Sequence, residues 1–103
     1  MDGIELTVDR NSETATLKVG GEIDLTSAPK LDDEIQSLIE QSVKNLTLDL
    51  SSVAFMDSTG LRVLLKASKV IEGNGGKVTL QSPSEPVRRL LEVSGLDGHF
   101  EQV

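Results

Sequence analysis

The chain has 103 residues, a formal net charge of −7, no cysteine, tryptophan or tyrosine, and two phenylalanines. That length suits one domain over residues 1–103, with a core that stands without staples; the missing cysteines exclude disulfides and thiolate metal sites. The acidity repels phosphate backbones and the lack of aromatics removes stacking platforms, so direct nucleic-acid binding is not expected.

Met1-Asp2-Gly3-Ile4-Glu5 carries neither the basic nor the apolar region of a signal peptide. No run approaches the roughly 18 apolar residues of a membrane span, so a cytoplasmic protein is expected. Ile4, Leu6 and Val8 alternate with Glu5 and Thr7, and Ala15, Leu17 and Val19 alternate with Thr16 and Lys18. This is the period of strands with one buried face, and the polar stretch Asp9 to Glu13 between them suits a hairpin. After Gly20-Gly21, Glu22-Ile23-Asp24-Leu25 reads as a short strand or strand end.

Thr26 or Ser27 is placed to N-cap a helix with Pro29 in its first turn. Asp32, Asp33 and Glu34 complement its dipole, and Ala28, Leu31, Ile35, Leu38 and Ile39 form one apolar stripe. Leu46 to Leu50 is the next strand. A second helix runs from about Ser58 to Glu72 and is broken by Gly73-Asn74-Gly75-Gly76, before a strand from Lys77 to Leu80. Ser84 caps a third helix with Pro86 in its first turn. Gly95 fits a left-handed position after it, with Leu96 reaching back to Leu91 in a Schellman-type ending. A short strand from Phe100 to Val103 closes the chain.

The expected class is α/β (α+β-like), in the order β-β-β-α-β-α-β-α-β. Leu46-Thr47-Leu48-Asp49-Leu50 alternates and is not apolar throughout, so the sheet is mixed, with helices mainly on one face.

The chemistry concentrates between Leu48 and Leu65. There a strand ends, a loop follows, and a helix begins at Asp57-Ser58-Thr59-Gly60. The first N–H groups of a helix lack intrahelical partners and stabilise a phosphate on a nearby hydroxyl. On physics alone, Asp57 or Ser58 is simply a helix cap.

Asp49-Leu50-Ser51 followed by Phe55-Met56-Asp57-Ser58-Thr59-Gly60-Leu61 resembles the signature of the anti-sigma factor antagonists of the STAS family, and Gly21-Glu22-Ile23-Asp24 resembles that family's second marker. The resemblance implies a STAS fold and phosphorylation of Ser58 by a partner that is both anti-sigma factor and serine-protein kinase. It implies that the unphosphorylated form binds this partner and frees the sigma factor, that a serine phosphatase resets the switch, and that the free protein is a monomer. It implies no enzymatic activity, cofactor or metal.

Phosphorylation adds about −1.5 to −2 charge at neutral pH beside Asp57, and near Asp24 if the strands pair as the family suggests. The expected partner-binding residues are Asp24, Thr26, Ser27, Asp57, Ser58, Thr59, Arg62, Val63 and Lys66. Arg62, Lys66 and Lys69 form a basic stripe starting beside Ser58, and Thr59 is a second candidate hydroxyl. One rival is a STAS module that is never phosphorylated, acting as a scaffold or as an accessory subunit of a transport system. Another is a phospho-aspartate receiver using Asp57, but Val8-Asp9-Arg10 lacks the acidic pair that a receiver carries after its first strand. Other chemistries fail on local context. Gly73 to Lys77 precedes a strand and is not a P-loop, and Ser58 lacks the Gly-x-Ser-x-Gly of a serine hydrolase. His99, the single histidine, reads as a surface residue.

Overall fold

The computed structural model describes residues 3–103; Met1 and Asp2, part of the N-terminal segment read above, lie outside them. In chain order the elements are β1 (Ile4–Asn11), β2 (Thr14–Ile23), α1 (Ala28–Glu40), β3 (Asn45–Met56), α2 (Ser58–Gly73), β4 (Lys77–Gln81), α3 (Glu85–Val93) and β5 (Glu101–Gln102). They form one five-stranded sheet in the order β1-β2-β3-β4-β5. β1 and β2 are antiparallel, and every later neighbouring pair is parallel.

The register explains the alternation in the sequence. Leu17, Leu48 and Leu80 lie side by side and are fully buried, while Thr16, Thr47 and Thr79, one residue earlier, are half-buried. One face of the sheet carries the core, and the other is polar. Ala28, Leu31, Ile35 and Leu38 of α1 and Leu61, Leu64, Ala67 and Ile71 of α2 join that core. Of the first strand's apolar residues only Ile4 is buried. Leu6 is half-buried and Val8 is exposed, because β1 is the edge strand.

Three expectations change. Glu22-Ile23 is the end of β2 and not a strand of its own, so the order is β-β-α-β-α-β-α-β. Gly21 adopts φ +92, and a Cβ there would stand 2.2 Å from the Gly3 carbonyl oxygen; the close approach keeps the chain in the sheet through Ile23. Secondly, β3 does not stop at Leu50. It continues to Met56 through two shifts of register against β2, each adding a residue and bending the strand. Thirdly, α1 begins at Ala28, so Asp32, Asp33 and Glu34 fall beyond its first turn; Asp32 instead pairs with Lys66 of α2 at 3.1 Å.

The helix ends follow local rules. Gly95 has φ +73; its N–H donates to the Glu92 carbonyl (3.1 Å) and the Leu96 N–H to the Leu91 carbonyl (2.8 Å). These are the two bonds of the expected Schellman ending. Ser84 is the N-cap residue of α3, but its hydroxyl, buried, has no hydrogen-bond partner among the described residues. β4 ends where Gln81 pairs with Asp49, while β3 runs on to Met56. The Ser84 N–H donates to the Leu50 carbonyl at 3.2 Å, which seats α3 beside this overhang of β3.

Candidate functional site

Parallel pairing of β2 with β3 carries two distant segments to the same end of the sheet. Ile23 lies beside Met56, and the Asp57 N–H donates to the Ile23 carbonyl at 3.1 Å. The loops leading into α1 and α2 therefore start as neighbours. Gly60 lets α2 close onto this corner. A Cβ there would meet Ile23 Cγ2 at 2.6 Å and Met56 Cγ at 2.8 Å.

Asp57 is the N-cap of α2, in extended conformation (φ −110, ψ −170). Its Oδ1 accepts the Thr59 N–H at 2.9 Å and also the Thr59 hydroxyl. One carboxylate thus satisfies an orphan N–H of the first turn and occupies the second candidate hydroxyl. Ser58, the first helical residue, is exposed, and its hydroxyl makes no hydrogen bond among the described residues. The choice between Asp57 and Ser58 as cap, open in the sequence, falls to Asp57.

On the α1 side Ser27, not Thr26, is the N-cap residue, but its side chain makes no capping hydrogen bond; a carboxylate upstream organises the turn. Asp24 Oδ1 accepts the Thr26 N–H (3.0 Å), the Thr26 hydroxyl (2.8 Å) and the Ser27 N–H (3.1 Å). The Asp24 carbonyl accepts the Ala28 N–H at 2.8 Å, continuing the helical ladder one turn upstream. The Thr26 hydroxyl first, and then the Ser27 N–H, hold the Asp24 carboxyl below its ordinary value, against a smaller opposing effect of burial. Ser27 is buried at 2 % exposure; its hydroxyl donates to the Glu22 carbonyl (2.7 Å) and accepts the Asp24 N–H (2.9 Å). Its expected place on a partner surface is corrected: it shapes the turn from inside.

Thr59, Arg62, Val63 and Lys66 line one side of a groove of about 340 Å³, with Leu25, Pro29 and Asp32 on the α1 side. Leu25 is 74 % exposed. The sequence reading missed it by placing it in a strand; an apolar residue between a capping aspartate and Thr26 was the available signal. Lys66 is tied to Asp32, whereas the Arg62 guanidinium has no hydrogen bond or ion pair among the described residues. Asp24 and Thr26 lie on the loop before α1, Asp57 caps α2 and Ser58 is its first residue; Asp24, Thr26 and Ser58 are each next in sequence to a residue of this groove. A second, apolar groove of about 550 Å³ runs between the β3 overhang and α3, with Phe55 and Val93 exposed along it; no pattern along the chain pointed to it.

The corner presents an exposed hydroxyl at a helix N-terminus, beside the capping Asp57 and a groove lined by apolar, basic and acidic residues. Among the described residues no group of three or more His, Cys, Asp or Glu is arranged to hold a metal ion, and no helix is long and apolar enough to cross a membrane.

Comparison with known proteins gives a family and close structural neighbours. The family model of the STAS domain matches residues 5–103. The anti-sigma-B factor antagonist of Bacillus subtilis (strain 168) is 37 % identical over 93 residues, covering 90 % of this chain and 84 % of its own. The anti-sigma-F factor antagonist RsfB of Mycobacterium tuberculosis is 35 % identical over 99 residues, covering 96 % and 80 %. The solved structure of the anti-sigma factor antagonist SpoIIAA in its unphosphorylated form superposes with a TM-score of 0.83 at 25 % identity, covering 96 % and 88 %.

Proposed function

The chain belongs to the STAS domain family, and from that premise we propose that it is an anti-sigma factor antagonist whose binding is switched at Ser58. The unphosphorylated form binds an anti-sigma factor that is also a serine kinase, and so frees the sigma factor. The kinase moves the γ-phosphoryl group of ATP to the Ser58 oxygen; the hydroxyl proton is lost and ADP leaves. Binding then ends, and a serine phosphatase hydrolyses the ester to restore the hydroxyl. The protein acts by binding and catalyses nothing itself. It works as a single cytoplasmic domain, a monomer when free.

The observation that carries this reading is the difference between two adjacent hydroxyls. Thr59 is held by Asp57, while Ser58 stands exposed and unengaged at the start of α2. A phosphoryl group on Ser58 lies against the first turn of a helix, where it is tolerated without refolding. It adds charge beside Asp57 and the loop of Asp24, and a surface pressed there is repelled and desolvated at a cost of several kcal/mol, a hundredfold or larger loss of affinity.

The test uses the purified protein, the candidate anti-sigma factor from the same genome and labelled ATP. Wild type takes up one phosphate and loses affinity; Ser58→Ala takes up none and stays bound. Phosphate mapped to Thr59, or full labelling of Ser58→Ala, overturns the assignment. Wild type that binds the anti-sigma factor without ever being labelled points to the scaffold reading.

A further inference from the structure

We propose that phosphorylated Ser58 is held by Arg62 of its own helix, so that modification both adds negative charge and withdraws the unpaired cation of the binding groove. The inference rests on reading Ser58 as the modified residue and deepens it, by naming the side chain that receives the phosphoryl group.

Ser58 is the first residue of α2 and Arg62 stands four residues later; both are exposed. Residues four apart share a helix face, with Cβ atoms about 5–6 Å apart. An anion placed N-terminal to a cation at this spacing is the favourable order along a helix. A phosphate offers three strong acceptor oxygens, and a guanidinium presents paired donors that match them.

The surrounding charges select Arg62. On the loop side of Ser58 stand Asp57 and, past the bond from the Asp57 N–H to the Ile23 carbonyl, Asp24. Both repel a phosphate and drive it toward the helix face. Lys66, one turn beyond Arg62, is held by Asp32 at 3.1 Å. Arg62 has no such partner among the described residues, so turning onto the phosphate breaks no existing pair. Arg62 lines the groove with Val63 and Thr59. Drawing its head toward Ser58 therefore removes a positive charge from the surface offered to the partner.

The experiment begins without a kinase or partner. The full chain is produced with phosphoserine incorporated at position 58 during translation, as wild type, Arg62→Gln and Arg62→Lys. Phosphorus NMR follows the phosphate titration, and nitrogen-edited NMR follows the Arg62 side-chain Nε–H. The expected result is a lower phosphate midpoint with Arg62 than with Gln, Lys falling between, and an Arg62 Nε–H resonance that moves through the same pH range. Identical midpoints in all three, with a stationary Arg62 resonance, overturn the proposal. A second arm compares affinity for the anti-sigma factor with and without phosphate. Phosphorylation is expected to reduce affinity by a smaller factor in Arg62→Gln than in wild type; equal factors overturn the withdrawal of the cation. The first arm involves no partner, so failure of the antagonist reading, seen as no binding by any form, is distinguished from failure of the Arg62 contact.

Discussion

At the residue scale, two carboxylates do work that their sequence neighbours were expected to do. Asp57 caps α2 and Ser58 does not, which alters the expected stability of the variants. Ser58→Ala removes a hydroxyl with no partner among the described residues and leaves the urea midpoint within error of wild type. Asp57→Ala strips the Thr59 N–H of its acceptor and lowers stability by about 0.5–2 kcal/mol. Asp24 and Asp49 also set a dependence on acid. The Thr26 hydroxyl chiefly lowers the carboxyl of Asp24, and the Ser51 hydroxyl chiefly lowers that of Asp49, each from an ordinary value of 3.8. Below that value the unfolded chain takes up protons before the folded one. The stability these groups supply is complete above it and is lost as pH falls through the folded values. Thr26→Ala returns Asp24 toward the ordinary value, so its deficit against wild type is expected to be full at pH 6 and to shrink as the pH is lowered below the ordinary carboxylate value, in denaturant titrations at each pH.

At the element scale, glycines and bulges position the site. Gly60 and Gly73 both lie within α2, and helix propensity alone favours alanine at either by about 1 kcal/mol. Their surroundings reverse the outcome at one of them. At Gly73 a Cβ meets nothing within 4 Å; at Gly60 it runs into Ile23 and Met56. Gly73→Ala is expected to raise the thermal midpoint and Gly60→Ala to lower it, measured by calorimetry on the unmodified protein. Gly60→Ala should also weaken partner binding, because the first turn of α2 must lift from the corner that holds Ser58. The two register shifts in β3 have a comparable role. They extend the strand past Leu50 and aim its end so that Met56 lies beside Ile23.

At the scale of the whole molecule, the proposed partner surface spans two helices. An interface of ordinary size needs about 800 Å² from each side, more than the Ser58 loop supplies, and the groove between α1 and α2 extends it. Leu25, largely in solvent, adds little to the core, so Leu25→Ala is expected to reduce affinity for the anti-sigma factor at least tenfold while the thermal midpoint holds. Charge reversal at Arg62 plus Lys66 is expected to act in the same direction. Its effect on stability is small, since the Lys66–Asp32 pair is partly exposed and such pairs contribute about 0–1 kcal/mol. Reversal at Arg88 plus Arg89 on α3 is the control; weakened binding there with none at Arg62 and Lys66 would move the interface to the other helix.

The sequence by itself determined what depends on neighbours along the chain. The alternation of Leu46, Leu48 and Leu50, the stripe from Leu61 to Ile71, and Gly95 with Leu96 after α3 each state a local conformation through period, capping or backbone sign. From these the order of helices, most of the strands and the buried faces were legible. The tertiary structure alone decided what depends on register between residues some thirty positions apart. It made Glu22-Ile23 the end of β2, carried β3 through its bulges to Met56, buried Ser27 and exposed Leu25. It also engaged the hydroxyl of Thr59 with Asp57 while leaving that of Ser58 exposed. The physical reason is that a strand's period fixes which face a side chain takes, whereas the pairing of β2 with β3, and the close contacts of Gly21 and Gly60, fix where each strand ends and which loops meet.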